Sequence, residues 1–354
     1  MKNMMKNSHL LLLFIILAAC APEQNSIKIG IIAPLTGNLA NVGQELVQGM
    51  NIARDEINAA GGINGKQLQL VVEDGKCDPK EATSAATKLI QIDRVKVIIG
   101  GTCTGESMAI APIATQNKVV ELSPMTSGSV YSNTGEWTFR TNPVDRATEI
   151  VQLLADKHFQ KLAIISEQTA FSQSIRTDFK ANAEKQGMSV VADENFESKE
   201  VDFRSYLTKM QSASPDAYFL NTNSGPVGTN LARQAKELGL TPLYGSRGYE
   251  LANPAQFPKE LEGITFYGSA GVVNTNTSQA TKLFDAYRKR TGKEPFCAFC
   301  VASQYDDTKL IAQALQACGE NTECMKNWLY TMQPYQGVIG TRSEEHTSEL
   351  QSQR

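Results

Sequence analysis

The sequence predicts an α/β fold, built as two doubly wound parallel-sheet lobes, on three observations. Short apolar runs alternate with segments of helical period from Ile27 onward. The alternation restarts after Asn142-Pro143. At 354 residues the chain is long enough for two ordinary domains. Strands alternating with helices form parallel sheets with helices on both faces, and two such runs make two similar lobes.

The elements follow in order. "IKIGIIA" (27–33) reads as a buried strand, and "GQELVQGMNIARDEINAAGG" as a helix. That helix repeats apolar residues at Leu46, Val47, Met50, Ile52, Ala53 and Ile57 and stops at Gly61-Gly62. "LQLVVED" is a strand, and "DPKEATSAATKLIQI" a helix with Asp78 as N-cap and Pro79 in the first turn. "VKVIIG" is a strand, Met108 to Gln116 a helix, and "VVELSP" a strand. After Pro143, helices "TEIVQLLADKH", "SQSIRTDFKANAEKQG", "FRSYLTKMQSAS" and "GTNLARQAKELG" interleave with strands "KLAIISE", "SVVADENF", "DAYFLNT", "TPLYGS" and "GITFYGSA". "QATKLFDAYRKRTG" and Cys300 to Cys318 are two late helices.

The two ends read differently. Lys2 and Lys6 precede an apolar run, Leu10 to Leu17, too short for a membrane span but right for a signal-peptide core. It ends in "LAAC", which resembles a bacterial lipobox, so residues 1–19 are expected to be removed, leaving Cys20 lipidated at the head of a polar tether, 20–26. A plain signal peptide cut near Ala19 is the alternative. At the other end, "SEEHTSELQSQR" is polar and without apolar period. Its letters resemble translated sequencing-adapter sequence, and 342–354 is read as a foreign tail.

Composition excludes some functions. The net charge is −3, and nucleic-acid binding needs clustered Lys and Arg, so no nucleic-acid partner is expected. Three histidines, His9, His158 and His346, build no nucleophile–base pair or metal cluster, so no catalytic residue, metal or cofactor is expected. With Cys20 set aside, six of the seven cysteines remain: Cys77, Cys103, Cys297, Cys300, Cys318 and Cys324. In an exported protein an even count points to disulfides, with 15 pairings for six. "CAFC" (297–300) could be a thiol–disulfide site. Its place before a late helix favours a structural bond, and Cys318 and Cys324 bracket a short loop as another staple would.

The stretch "VKVIIGGTCTGESMAIAP" (95–112) carries the functional expectation. A strand leaves through Gly-Gly and hydroxyls into a helix, whose first N–H groups attract an anion. Thr102, Thr104 and Ser107 add hydroxyl donors. Neither a Walker A pattern nor G-x-G-x-x-G is present there, so a carboxylate fits better than a phosphate or a dinucleotide.

Taken together, "IKIGIIAPLTGNLANVGQELVQGMNIARDEINAAGGINGKQLQLVVEDGKCDPKEA", "GGTCTGESMAIAPIATQNKVVELSP", "LARQAKELGL" and "YQGVIGT" resemble the leucine/isoleucine/valine-binding protein family. These are substrate-binding subunits of ABC transporters, and the resemblance covers about residues 27 to 341. It implies the type I periplasmic-binding fold: lobe 1 from 27–142 and 272–332, lobe 2 from 143–271 and 333–341. The hinge would have three crossovers, near Thr141 to Val144, Ser269 to Val272 and Thr331 to Tyr335. It implies a Cys77–Cys103 disulfide, a bond that would contribute about 3–4 kcal/mol. It also implies a monomer that holds a small carboxylate solute in the cleft and delivers it to an ABC permease. Within that family Thr104, beside Thr102 and Gly105, aligns with a serine donating to the ligand carboxylate. Met125 aligns with a residue offering its backbone carbonyl, and Ser127 with a threonine at the ligand's head group.

The second lobe departs from the family. Phe171 stands where a tyrosine covers the ligand, and Ser224 near another tyrosine position. Arg247 replaces the glutamate that neutralises the ligand's ammonium, a role that a permanent cation cannot fill. Arg247 would bind a second acid group or carbonyl, pair with Glu250, or lie at the surface. A ligand sensor feeding a receptor, and a thiol oxidoreductase using Cys297 and Cys300, are the competing functions.

Overall fold

The computed structural model describes residues 26–251, 258–267 and 273–342. The signal segment, Cys20 and the tail from 343 lie outside the described residues. The first run is β1 (Ser26–Ala33), α1 (Ala40–Ala59), β2 (Gln67–Asp74), α2 (Pro79–Gln91), β3 (Val97–Gly100), α3 (Thr104–Asn117), β4 (Val120–Ser123) and β5 (Thr138–Arg140). Its five strands form a parallel sheet in the order β2-β1-β3-β4-β5. The second run is α4 (Thr148–Asp156), β6 (Lys161–Glu167), α5 (Ala170–Lys185), β7 (Ser189–Phe196), α6 (Arg204–Ser212), β8 (Ala217–Asn221), α7 (Gly225–Glu237), β9 (Leu243–Gly245), α8 (Pro258–Leu261) and β10 (Ile264–Phe266). Its parallel sheet runs β10-β9-β8-β6-β7, the same winding as the first. The chain then returns through α9 (Ser278–Thr291), α10 (Ala298–Cys318), α11 (Thr322–Thr331), β11 (Tyr335–Gly337) and β12 (Gly340–Arg342).

Strand alternation explains how lobe 1 is covered. Ile27, Ile29 and Ile31 face Leu310 and Ile311 of α10, while Ile32 and Ile98 face Ala82, Ala86 and Ile110 of α2 and α3. Each fully buried Ile contributes about 1.5–3 kcal/mol. Lobe 2 is likewise covered on both faces, by a cluster with Leu207 and Leu231 and by one with Ile150 and Ile175. α1 and α10 pack so closely that a Cβ on Gly49 would lie 2.2 Å from the Val301 carbonyl oxygen.

Some boundaries differ from the sequence reading. α3 begins at Thr104 instead of Met108, because Cys103 and Glu106 form a capping box at its start. β5 and α11 went unread because three residues and one short period carry little pattern.

The first crossover runs from β5 to α4, and the third leaves α11 for β11. The expected second crossover, Ser269 to Val272, lies outside the described residues. The segment 333–341, assigned from sequence to lobe 2, packs on lobe 1 instead: Val338 joins Ile52, Leu283, Phe284 and Tyr287. The Asp306 carboxylate of α10 holds its turn, accepting the N–H groups of Val338 and Ile339 at 2.9 and 3.0 Å. The disulfides are Cys77–Cys103, Cys297–Cys300 and Cys318–Cys324.

Candidate functional site

In open parallel sheets ligands bind beyond the carboxyl ends of the strands, where the strand order reverses. Here both sheets reverse, between β1 and β3 and between β6 and β8, and their carboxyl ends face one another. Between them lies a cavity of about 240 Å³. That is at or below the lower end of ligand pockets, roughly 300 Å³. The loops after β3 and β4 supply Thr102, Thr104, Met125 and Ser127; the loops after β6, β8 and β9 supply Phe171, Asn223, Arg247 and Glu250. Leu39, Ala298 and Phe299 add apolar wall.

The exit of β3 is held by a hydroxyl cluster. Gly101, at φ +75°, turns its carbonyl toward Ser107, Ser123 and Thr126, whose hydroxyls lie 2.8, 2.9 and 3.0 Å from it. Ser107 was expected to serve the ligand; it is fully buried in this cluster and serves the loop instead. Thr102, Thr104 and Ser127 are different. They are 8%, 2% and 5% exposed, and among the described residues none of their hydroxyls has a protein hydrogen-bond partner. All three line the cavity.

Not every N–H at the start of α3 is open to a ligand. The Glu106 carboxylate accepts from the backbone of Cys77 and Cys103, both at 3.0 Å. Burial raises its pKa to about 7, against the lowering effect of the Cys103, Cys77 and Thr102 N–H groups; Asp74 adds to the rise. The N–H groups of Cys77 and of Cys103, the N-cap of α3, are thus occupied from within.

On the lobe 2 side, Glu167 at the end of β6 accepts the Asn223 N–H at 2.7 Å and so orients the loop after β8. Burial raises the pKa of Glu167 while that N–H lowers it. The Asn223 amide reaches across the cleft to Cys77 Sγ at 3.6 Å and Cys103 Sγ at 3.9 Å. Arg247 is not a surface charge: its side chain is 12% exposed, lines the cavity, and places Nε 3.8 Å from Glu250 Oε2. Behind it, Asp145 accepts from the Ala147 N–H at 2.9 Å and from the Tyr267 hydroxyl at 3.0 Å. Burial raises the pKa of Asp145, countered by the Ala147 N–H, the Arg247 charge and the Tyr267 hydroxyl.

The structure therefore brings Thr102, Thr104, Met125, Ser127, Phe171 and Arg247 to one cavity. Gly105 and Ser224 are not in its wall. Gly105 faces the seam between lobes, where a Cβ would be 3.4 Å from Pro79 and 3.8 Å from Ala170. Ser224 is the N-cap of α7, its hydroxyl buried, and its neighbour Asn223 takes the wall position. The Met125 carbonyl already accepts from Asn142 Nδ2 at 2.9 Å.

Sequence reasoning missed Asn142, Asn223 and the "CAFC" segment as cavity wall. Cys297, Ala298 and Phe299 arrive there because Glu45 of α1 accepts the N–H groups of Phe296 and Cys297, each at 2.9 Å. A contact between residues 252 apart in the chain leaves no local signal. Among the described residues no group of three His, Cys, Asp or Glu is placed to hold a metal ion.

Comparison with known proteins agrees with this geometry. A family model described as periplasmic binding protein matches residues 26–351. The Leu/Ile/Val-binding protein homolog 3 of Brucella melitensis is 28% identical, over 92% of this chain and 89% of that protein. A leucine binding protein LivK from Thermotoga maritima superposes with a TM-score of 0.79 at 25% identity, covering 89% of this chain and 90% of that one. The branched-chain amino acid transporter substrate binding protein LivJ from Streptococcus pneumoniae, solved with isoleucine, gives 0.77 at 27% identity, covering 89% and 91%.

Proposed function

The chain belongs to the periplasmic binding protein family, and from that premise we propose that it is the extracytoplasmic substrate-binding protein of an ABC transporter, capturing an amino acid or related small carboxylate by lobe closure. The observation that carries this reading is the inter-lobe cavity, where the hydroxyls of Thr102, Thr104 and Ser127 converge without a partner among the described residues. A carboxylate supplies the acceptors those donors lack, and Phe171 and Phe299 supply apolar surface for its body. Relatives that bind leucine and isoleucine support the same solute class.

The role is non-catalytic. A thiol oxidoreductase is not favoured, because the matching family and relatives are binding proteins, and the Cys297–Cys300 bond staples the start of α10, with Cys297 in the cavity wall and Cys300 fully buried. The "LAAC" motif supports a lipid anchor at Cys20, which would hold a monomer beside its permease. Mass spectrometry of the mature N-terminus tests that anchor: a diacylglyceryl adduct on Cys20 is expected, and an unmodified N-terminus would rule it out.

Thermal-shift titration tests the solute class. Binding to the folded state raises the melting temperature with ligand concentration. A panel of amino acids, 2-oxo acids and dicarboxylates should contain at least one that does so. Thr104→Ala and Ser127→Ala should each weaken that ligand about tenfold, the worth of a hydrogen bond to a charged group. Full affinity in both variants would place the carboxylate elsewhere.

A further inference from the structure

The wall of the cavity carries a cation as well as the hydroxyls of Thr102, Thr104 and Ser127. Arg247 presents five N–H donors in a planar fork and no acceptor. Its side chain is largely buried, yet its one charged contact, Glu250 at 3.8 Å from Nε, is beyond hydrogen-bond reach. Asp145 lies near enough to feel its charge. However, the Asp145 carboxylate is already held by the Ala147 N–H and the Tyr267 hydroxyl, and it is not in the cavity wall. Among the described residues, then, the Arg247 fork has no hydrogen-bond acceptor. Water solvates such a group only until a solute enters, and a solute that displaces the water must offer acceptors of its own.

We infer that Arg247 is the specificity-determining contact of the cleft, and that the solute is a small acid with two oxygen-bearing acceptor groups. One carboxylate meets Thr104 and Ser127, and a second carboxylate or a carbonyl meets the Arg247 guanidinium. This rests on the reading of the cleft as a carboxylate-solute site and narrows it. An α-amino acid with an apolar side chain offers only one acceptor group and brings an ammonium into a cavity of about 240 Å³ that already holds a guanidinium. Its ammonium would have to find Glu250 in the same wall. A dicarboxylate or an oxo acid offers an acceptor group to the hydroxyls and another to Arg247.

Isothermal titration calorimetry with glutarate, 4-methyl-2-oxopentanoate and leucine tests the assignment on the wild type, Arg247→Gln and Arg247→Lys. Glutarate or the oxo acid should bind more tightly than leucine. Arg247→Gln should weaken the preferred acid about 10- to 100-fold, as expected for charge-assisted hydrogen bonds lost from a buried site. Arg247→Lys, which keeps the charge without the fork, should lie between them and carries the test if the Gln variant does not fold. Leucine binding at least as tightly as the better of the two acids, or a preferred acid indifferent to both substitutions, overturns the inference while leaving a carboxylate-binding protein. Binding of none of the three to the wild type overturns this inference and counts against the solute class on which it rests.

Discussion

Glu106 shows how a single buried side chain shapes the site. Its carboxylate ties the two half-cystines Cys77 and Cys103 to the first turn of α3, directly behind the threonines of the cavity wall. Gly75 makes room for it, since a Cβ there would lie 2.2 Å from Oε1. Burial lifts its pKa from 4.5 to about 7. Between those values the folded protein keeps a proton that the unfolded chain has released, so stability falls as pH rises across that window. Glu106→Gln removes that titration and should flatten the fall, by up to roughly 3 kcal/mol. Asp145 and Glu167, also raised by burial, keep part of the slope in the variant. Urea denaturation at about pH 5 and about pH 8 measures the difference; equal slopes in both proteins would mean that the proton resides elsewhere.

At the scale of elements, the contact between α1 and α10 sets the first lobe. It stacks Met50 toward Leu310 and Ile311 in the main core, and Ile52 toward Val301 and Ala302 beside α9. It also delivers "CAFC" to the cavity through Glu45, whose carboxylate further accepts the Tyr287 hydroxyl at 2.9 Å. Gly49 is the closest point of approach, and its neighbour is backbone, which cannot swing away. Gly49→Ala should therefore force the helices apart and cost about 1–3 kcal/mol, the usual range for overpacking. A chemical-denaturation midpoint unchanged from the wild type would show that the pair separates freely. Gly49 was read in the sequence only as one position inside a helix; the demand on its size comes from Val301, far along the chain.

For the whole molecule, two similarly wound lobes meet, among the described residues, through hydrogen bonds and without a shared hydrophobic cluster. Ser129 donates to Asp178 at 2.6 Å near the hinge, and Asn223 reaches the Cys77–Cys103 bond across the cleft. Lobes with separate cores suit hinge closure in preference to repacking of either core. Small-angle scattering should record a smaller radius of gyration when ligand saturates the protein. An identical curve with and without ligand would mean that capture does not proceed by closure. The disulfide lies within lobe 1 and leaves that motion free, and the crossover 141–147 is anchored on both sides. Asp145 N–H binds the Ser127 carbonyl at 2.7 Å, and Thr141 donates to Asp307 of α10 at 2.9 Å.

The alternating periods, the Pro143 restart and the strand exit at Gly101 were legible from the chain alone, because each depends on residues a few positions apart. They determined two parallel-sheet lobes, a helix start beside hydroxyls, and a family resemblance that located six of the cavity's lining residues. Tertiary structure decided what local pattern cannot carry. It turned Ser107 inward to Gly101 while Thr102, Thr104 and Ser127 faced the cavity, put Asn223 instead of Ser224 in the wall, and brought Val338 onto lobe 1. It also took Arg247 from three open possibilities to a nearly buried cation in the cleft. The physical reason is the same in each case. A side chain's direction and its burial are set by its folded neighbours, most of them far along the chain, and these meet only when the sheets align their carboxyl ends.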